Sequence, residues 1–557
     1  MTIAAGRTGA WRNVWIAAGI LALTLLSFFQ FPGHTYLQQD TQVYLPILER
    51  YWNPAALNRE LLAQHPHVSF TVYDEVTEGL RRLTGLDFQA VLALQQFMFR
   101  GLGILGVFLL ATALRLSSRM ALLVAGVFSL GAVIAGPQVL AIELEPVPRG
   151  FAVALVLLAC GLAAHERDLW AGVAVAVAFL YHAPVVVPFW VVYFCLTLRP
   201  ARPAVMSRRI WGLAPILGGV LVLSVLSRLQ TGILEPQAFF GQVDAALEQL
   251  QRYRAPYVWV SLWAPDWIWH YLFLWAASLA AFWRVRRWAS QDVRYFLIGL
   301  PLVGLLSVPA SWLLLDKWKW IAIPQIQPAR MLLFVTVVAA ITAAIAAVKA
   351  GEAGRHWEGA LWFLLAFAIP AHTRVLGLLA DLGSPEVLRC ALMVAGLALV
   401  AALAVWSQRT GTKRAAAAWA AAVLAPFLLI PAYGNIRREP RLDTPAMRAL
   451  VDWADASTPA DAVFLFPDAG RELYPGYFRA KALRAVYVDW KGGGQVNFLQ
   501  DFAREWERRW LRVGAGKFDP KASYGDLGID YVVLKREHRR PDVTPVFEDA
   551  EYVVYRP

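Results

Sequence analysis

Apolar runs of membrane-crossing length recur along the first 433 residues of this chain, and they restrict it to a fold built largely in lipid. A helix needs about 20 apolar residues to cross the hydrocarbon core of a bilayer. Candidate spans are 12–31, 90–112, 120–138, 149–164, 210–228, 266–283, 294–315, 329–348, 357–375, 387–406 and 415–433. Composition agrees: 58% of the 557 residues are hydrophobic and 17% are charged, where a soluble protein carries about 25% charged residues. Tryptophan is abundant, at 24 residues, and it concentrates at bilayer interfaces. The net charge of +12 sits in short loops between the apolar runs, which excludes a nucleic-acid partner. Cys160, Cys195 and Cys390 all lie in apolar segments, so neither a disulfide framework nor a CxxC metal site is expected. The first apolar run ends in Phe28, Phe29 and Phe31 with no small-residue cleavage site, and reads as an uncleaved span.

Segment 169–198 is too long for one span and holds His182-Ala183-Pro184 in its middle. Proline disfavours helix at the residue before it, so two short helices, 169–182 and 185–198, are expected to meet there. The alternative is one kinked span. Charge bears on the choice. Arg7 and Arg12 lead the chain; Arg115 and Arg119, Arg199 to Arg209, Arg284 to Arg294, Lys349 and Arg355, and Arg409 to Arg414 follow. These clusters fall in every second loop if 169–198 counts as two crossings. The positive-inside rule then predicts about 13 spans, with the N-terminus inside and the C-terminus outside.

The transmembrane part is expected over 1–435, with long outer loops at 32–89 and 229–265. In the first loop Tyr73, Val76, Leu80 and Leu83 share a helical face opposite Asp74, Glu75, Glu78 and Arg81, the pattern of a helix lying on a membrane surface. The second carries Phe239, Phe240, Val243, Leu247 and Leu250 on one face, then an aromatic string from Tyr257 to Trp269. After Pro431 the composition turns soluble. Helices at 446–456 and 498–512 alternate with strands at 461–467, 530–535 and 551–557, which predicts a small α/β domain over 436–557.

Ionisable groups at membrane depth are costly and usually face a cavity or a partner. Asp40, in QQDTQVYLP, follows the first span; His65 and His67 lie further on. Glu143, Glu145 and Arg149 stand in AIELEPVPRG, His182 at the helix break, Arg252 and Arg254 at the end of the second amphipathic stretch, and Gln325, Gln327 and Arg330 before a span. The predicted topology lets all of them reach one outward cavity. Each has a plainer reading. Asp40 suits the N-cap of the following helix, Arg149 and Arg330 suit interface anchors, and Glu143 and Glu145 suit solvated loops. His182 suits a bond to a carbonyl freed by the kink. Lys491-Gly-Gly-Gly494 lacks phosphate-loop spacing and reads as a flexible loop. The His65–His67 pair lacks carboxylates at ligand spacing, so no metal is assigned.

The order of span, Asp40, amphipathic stretches and second span over 12–112 resembles the GT-C superfamily of polytopic membrane glycosyltransferases. This group includes oligosaccharyltransferase catalytic subunits, aminoarabinose transferases and protein mannosyltransferases. Asp40 is followed by Thr41 where many members carry a second acid, and the Trp-Trp-Asp-Tyr-Gly signature of oligosaccharyltransferases is absent, so peptide glycosylation is not implied.

The resemblance implies a mostly α, polytopic transmembrane bundle of GT-C-like fold with a small C-terminal α/β domain. It implies transfer of a sugar from a polyprenyl-phosphate donor to a lipid, glycan or protein acceptor, by inverting displacement with Asp40 as general base. Arg149, Arg330, Arg252, Arg254 and His182 would bind the donor phosphate. Glu143 and Glu145 would serve an acidic, divalent-cation or acceptor site, with no obligatory cofactor. A bacterial inner membrane is expected, with the C-terminal domain in the periplasm. The alternatives are a transporter or flippase, which the broken helix suits, and a non-catalytic assembly protein for surface polysaccharide or lipid.

Overall fold

Backbone in lipid must satisfy its own hydrogen bonds, which is why the apolar runs form helices. The computed structural model describes residues 2–28, 34–65, 71–199, 203–229, 235, 239–366, 398, 402, 409 and 442–557. His67, Cys390, Lys413 and Arg414 lie outside the described residues, as do the expected spans at 387–406 and 415–433 apart from single positions. The chain runs through α1 (Thr2–Phe28), α2 (Thr41–Trp52), α3 (Tyr73–Thr84), α4 (Phe88–Ala113), α5 (Ser118–Phe128), a hairpin of β1 (Val133–Ile134) and β2 (Val139–Leu140), α6 (Pro148–Ala164) and α7 (Asp168–Thr197). It continues through α8 (Pro203–Leu229), α9 (Ala245–Arg254), α10 (Pro265–Val285), α11 (Gln291–Ser311), the short α12 (Ile323–Ile326) and α13 (Leu333–Glu352), and is helical again over 356–366. Among the described residues six helical segments, α7 counted as one, are long and apolar enough to cross a membrane, so this is a multi-pass membrane protein.

The expected span at 120–138 does not form. Its helix stops at Phe128, and the chain turns into the β1–β2 hairpin, with Gly131 and Gly136 at positive φ.

Segment 169–198 folds back on itself. His182 leaves helical geometry (φ −160°, ψ 88°) within α7. The Tyr193 hydroxyl donates to Asp168 Oδ1 at 2.7 Å, whereas 25 residues of straight helix would separate them by about 37 Å. Two short antiparallel arms therefore meet at His182. Pro184 has no N–H for the Leu180 carbonyl, and the Val72 backbone N–H from the first outer loop donates to it instead, at 2.9 Å.

One end of the bundle gathers basic residues. Lys349 Nζ donates to the Arg115 carbonyl, Arg284 pairs with Glu358, Arg209 pairs with Asp292 at 2.7 Å, and Arg208 bridges Glu166, Asp168 and Asp292. The opposite end carries the outer loops. There α3 turns a different face inward than its periodicity implies. Tyr73, Asp74 and Thr77 are buried, while Leu83 is 82% exposed. The helix packs under α2 and α4 rather than resting on its apolar stripe.

Residues 442–557 form a mixed five-stranded sheet in the order β4-β3-β5-β7-β6. Its strands are β3 (Val463–Leu465), β4 (Ala485–Val486), β5 (Tyr531–Lys535), β6 (Phe547–Glu548) and β7 (Tyr552–Tyr555), accompanied by α14 (Pro445–Ser457), α15 (Tyr474–Ala482) and α16 (Gln500–Arg512). β3 runs parallel to β4 and β5, and β7 antiparallel to β5 and β6. The sheet unit docks on the first outer loop. Pro46 inside α2 frees the Gln42 carbonyl, and Arg479 Nη2 of α15 donates to it at 3.2 Å. Arg479 is fully buried and pairs with Asp489 at 2.6 Å and Glu60 at 3.6 Å.

Candidate active site

Asp40 stands at the N-terminus of α2, yet its side chain makes no capping hydrogen bond. The turn before it is held from another loop. Glu145 accepts the backbone N–H groups of Gln38, Gln39 and Thr41 at 2.6–2.9 Å and the Thr41 hydroxyl at 2.9 Å. Four donors on one buried carboxylate fix where Asp40 projects. Burial pushes the Glu145 carboxyl up, as does the charge of Asp40, against the pull of those hydrogen bonds.

The Asp40 carboxylate is set deep among protein groups but keeps 42% of its side-chain surface open. Lys491 Nζ donates to Oδ1 at 2.6 Å, and Arg149 Nη2 lies 3.9 Å from Oδ2. Burial alone would raise this carboxyl; Lys491, Arg149 and Arg330 outweigh it and hold Asp40 well below the usual carboxylate range. Arg149, at the start of α6, is anchored by Nε donating to Glu143 Oε1 at 2.7 Å. Gly150 lets the Glu143 side chain come this close, since a Cβ there would stand 2.9 Å from Glu143 Cβ.

Arg330 precedes α13 and sits within electrostatic reach of Asp40, Arg149 and His182. Its guanidinium lies 5.7 Å from the Tyr257 ring centroid, and its buried Nε has no hydrogen-bond partner. His182 Nδ1 is also buried without a hydrogen-bond partner. Beside Arg330 a small cavity is lined by Pro137, Tyr257, Ser311 and Gln327. The Ser311 hydroxyl and both polar atoms of the Gln327 amide are buried there with no partner.

Asp40, Arg149, Arg330 and His182 thus come together. Arg254 joins their edge: Nε and Nη2 both donate to the Trp490 carbonyl, at 2.9 and 2.6 Å, and the guanidinium lies 4.2 Å over the Trp490 ring. Burial lowers its pKa. Arg252 is not part of the group. It pairs with Glu248 and Asp316, donates to Ser261 and lies over Trp259, because successive even positions at the end of α9 point to different sides of the helix. Glu143 pairs with Arg149, and Glu145 holds the Asp40 turn. Among the described residues no three His, Cys, Asp or Glu side chains gather as a metal site would require. His65 is buried against Phe502 with Glu235 at 3.5 Å. Gln325 donates to the Phe498 carbonyl at 3.3 Å.

Sequence reasoning missed Lys491, which it reads as part of a flexible loop. The loop is instead a short 3-10 turn over Gly492–Asn497, and Lys491 reaches a residue 451 positions earlier. No local periodicity links such positions; a lysine between a tryptophan and three glycines was the only signal.

A family model described as a domain of unknown function (DUF6798) matches residues 445–513. No curated protein matches the chain. Similar solved structures include ArnT from Cupriavidus metallidurans in the apo state, 13% identical over 98% of both chains with a TM-score of 0.43. The same protein bound to undecaprenyl phosphate is 14% identical over 98% of this chain and 97% of that one, with a TM-score of 0.40. The arabinofuranosyltransferase AftD from Mycobacteria is 14% identical, with a TM-score of 0.45, and the match covers 98% of this chain and 40% of that one.

Proposed function

We propose that this protein is a membrane glycosyltransferase that moves a sugar from a polyprenyl-phosphate donor to an acceptor hydroxyl at the outer face of the membrane. The observation that carries the reading is Arg330, whose buried Nε has no hydrogen-bond partner and whose guanidinium forms no ion pair within 4 Å among the described residues, in electrostatic reach of Arg149 and Asp40. A buried guanidinium nitrogen without a partner is costly, and an anion bridging Arg149 and Arg330 would remove that cost. A lipid-linked phosphate suits a site at a bundle end, with its chain among the helices.

In this reading the acceptor hydroxyl attacks the anomeric carbon and its proton passes to Asp40. The bond from that carbon to the phosphate oxygen breaks with its electron pair on oxygen, and the anomeric centre inverts. Arg149 and Arg330 would meet the charge developing on the phosphate, and His182 would orient it through its unpartnered Nδ1. Gln327 and Ser311 offer both donors and an acceptor to sugar hydroxyls. The basic end of the bundle would face the cytoplasm by the positive-inside rule, and residues 436–557 would then lie outside, in the periplasm of a bacterial inner membrane. The vertex of the broken α7 beside these cations favours transport as the second reading.

The test is Asp40→Asn in lipid nanodiscs, supplied with polyprenyl-phosphate mannose and polyprenyl-phosphate arabinose. Glycoside formation should fall about 100- to 10,000-fold while polyprenyl-phosphate binding persists. Undiminished turnover in the variant would remove Asp40 from the chemistry. Movement of the lipid with no new glycosidic bond would make the protein a transporter.

A further inference from the structure

We propose that the C-terminal domain completes this site, with Lys491 acting as the positioning residue that orients the Asp40 carboxylate and sets its basicity. The inference rests on the glycosyltransferase reading and gives a task to the 445–513 stretch.

The placement of Lys491 is built, not incidental. Its own N–H and that of Gly492 donate to Asp489 Oδ2 at 3.1 and 3.2 Å, and Asp489 is in turn gripped by the fully buried Arg479. The carbonyl just before it, on Trp490, accepts both Arg254 donors. Gln251 of the same α9 donates to the Val496 carbonyl at 3.3 Å. Gly493 allows the approach: a Cβ there would stand 2.5 Å from Trp506 ring atoms and 2.9 Å from Arg254 Nε. The turn is therefore clamped by α9 from the membrane part and by the sheet unit from the other side. Lys491, only 15% exposed, has one direction left, toward Asp40.

The geometry divides the two carboxylate oxygens. Lys491 donates to Oδ1 at 2.6 Å, while Arg149 stands 3.9 Å from Oδ2, beyond hydrogen-bond length. Oδ2 is thus the oxygen that receives the acceptor proton. During transfer that proton goes to Oδ2, the new glycosidic bond forms, the phosphate leaves with its electron pair, and Lys491 stays charged throughout. The ammonium also makes the carboxylate a weaker base, and losing it should return the group toward the ordinary range.

Lys491→Met and Lys491→Arg, in the full chain, test this. With polyprenyl-phosphate mannose or arabinose as donor, Lys491→Met should lower kcat about 10- to 100-fold with little change in KM. It should also move the acid limb of the kcat/KM profile to higher pH, because Asp40 then protonates more readily. Lys491→Arg should restore much of both. A merely structural role would not move the pH limb. Turnover by the wild type together with an unchanged kcat and pH limb in Lys491→Met overturns the inference and leaves the glycosyltransferase reading intact. No turnover by the wild type sinks that reading instead, and the pair is then decided by carbodiimide coupling in the unmodified protein. An amide between Lys491 and Asp40, found by mass spectrometry and lost in Asp40→Asn, upholds the domain's contribution. Its absence overturns it.

Discussion

The backbone N–H of Val72 donates to the Leu180 carbonyl at 2.9 Å, across the break that Pro184 makes in α7. One hydrogen bond thereby ties the first outer loop to the vertex of a folded-back helix pair. It satisfies the carbonyl freed by Pro184, while His182 Nδ1 is buried and unpartnered within electrostatic reach of Arg149 and Arg330.

Arg330→Met separates a ligand-binding cation from a structural one. Removing an unpartnered cation should leave thermal stability equal or higher, while polyprenyl-phosphate binding weakens about 10- to 100-fold, the worth of a charge-assisted hydrogen bond. Binding titrations in nanodiscs and melting curves on the same preparations give both numbers. Unfolding of the variant with binding intact per folded molecule would contradict the assignment.

Glu145→Gln should loosen the turn that carries Asp40. The amide keeps one acceptor oxygen but presents an NH2 to donors of residues 38–41, so a cost of about 1–3 kcal/mol is expected. Amide hydrogen exchange at Gln39 and Thr41 should speed up in step. Unchanged exchange there would show that the turn holds without the carboxylate.

Asp74 should make stability depend on pH. It is 2% exposed, and Oδ1 has no partner. Burial, reinforced by Glu75 and Glu78, raises its carboxyl well above the ordinary range. The folded protein therefore holds this proton after the unfolded chain has lost it. The stabilisation is complete below the unfolded value near 4 and is lost as pH rises toward the folded value. Wild type should melt higher at pH 5 than at pH 7.5 on this account, and Asp74→Asn should melt higher than wild type at pH 7.5 and flatten the difference. An asparagine variant with the wild-type pH slope would remove Asp74 as its origin.

Arg479→Met should cost about 3–5 kcal/mol, because it strands the buried carboxylates of Asp489 and Glu60. Glu60→Gln in the same background should recover part of the loss, since it removes one of the stranded charges. Urea unfolding followed by amide hydrogen exchange in β3 and β5 reads both. Additive losses in the double variant would show that the three groups do not act as one network.

Much of the fold was legible because lipid imposes a simple rule: a span needs length and apolarity, and both are visible along the chain. The break at His182 was legible too, since proline acts on its immediate neighbours. The segment 120–138 was misread because apolarity alone does not distinguish a spanning helix from a buried helix followed by a hairpin. The inward face of α3 was misread because the packing of the helix against α2 and α4, and not its own periodicity, decides which residues are buried.

The site divides in the same way. Chain order and costly polar groups were enough to single out Asp40, Arg149, His182 and Arg330 as residues that need a reason to be there. Neither could separate Arg254 from Arg252, assign Glu145 to the Asp40 turn, or connect Lys491 to Asp40. Sequence by itself determined which segments seek lipid and which polar residues lie at their ends, because those properties belong to single stretches of chain. Only the tertiary structure decided which of those residues meet. Contacts between positions 40, 149, 330 and 491 depend on how distant segments pack, and no local pattern of residues encodes that.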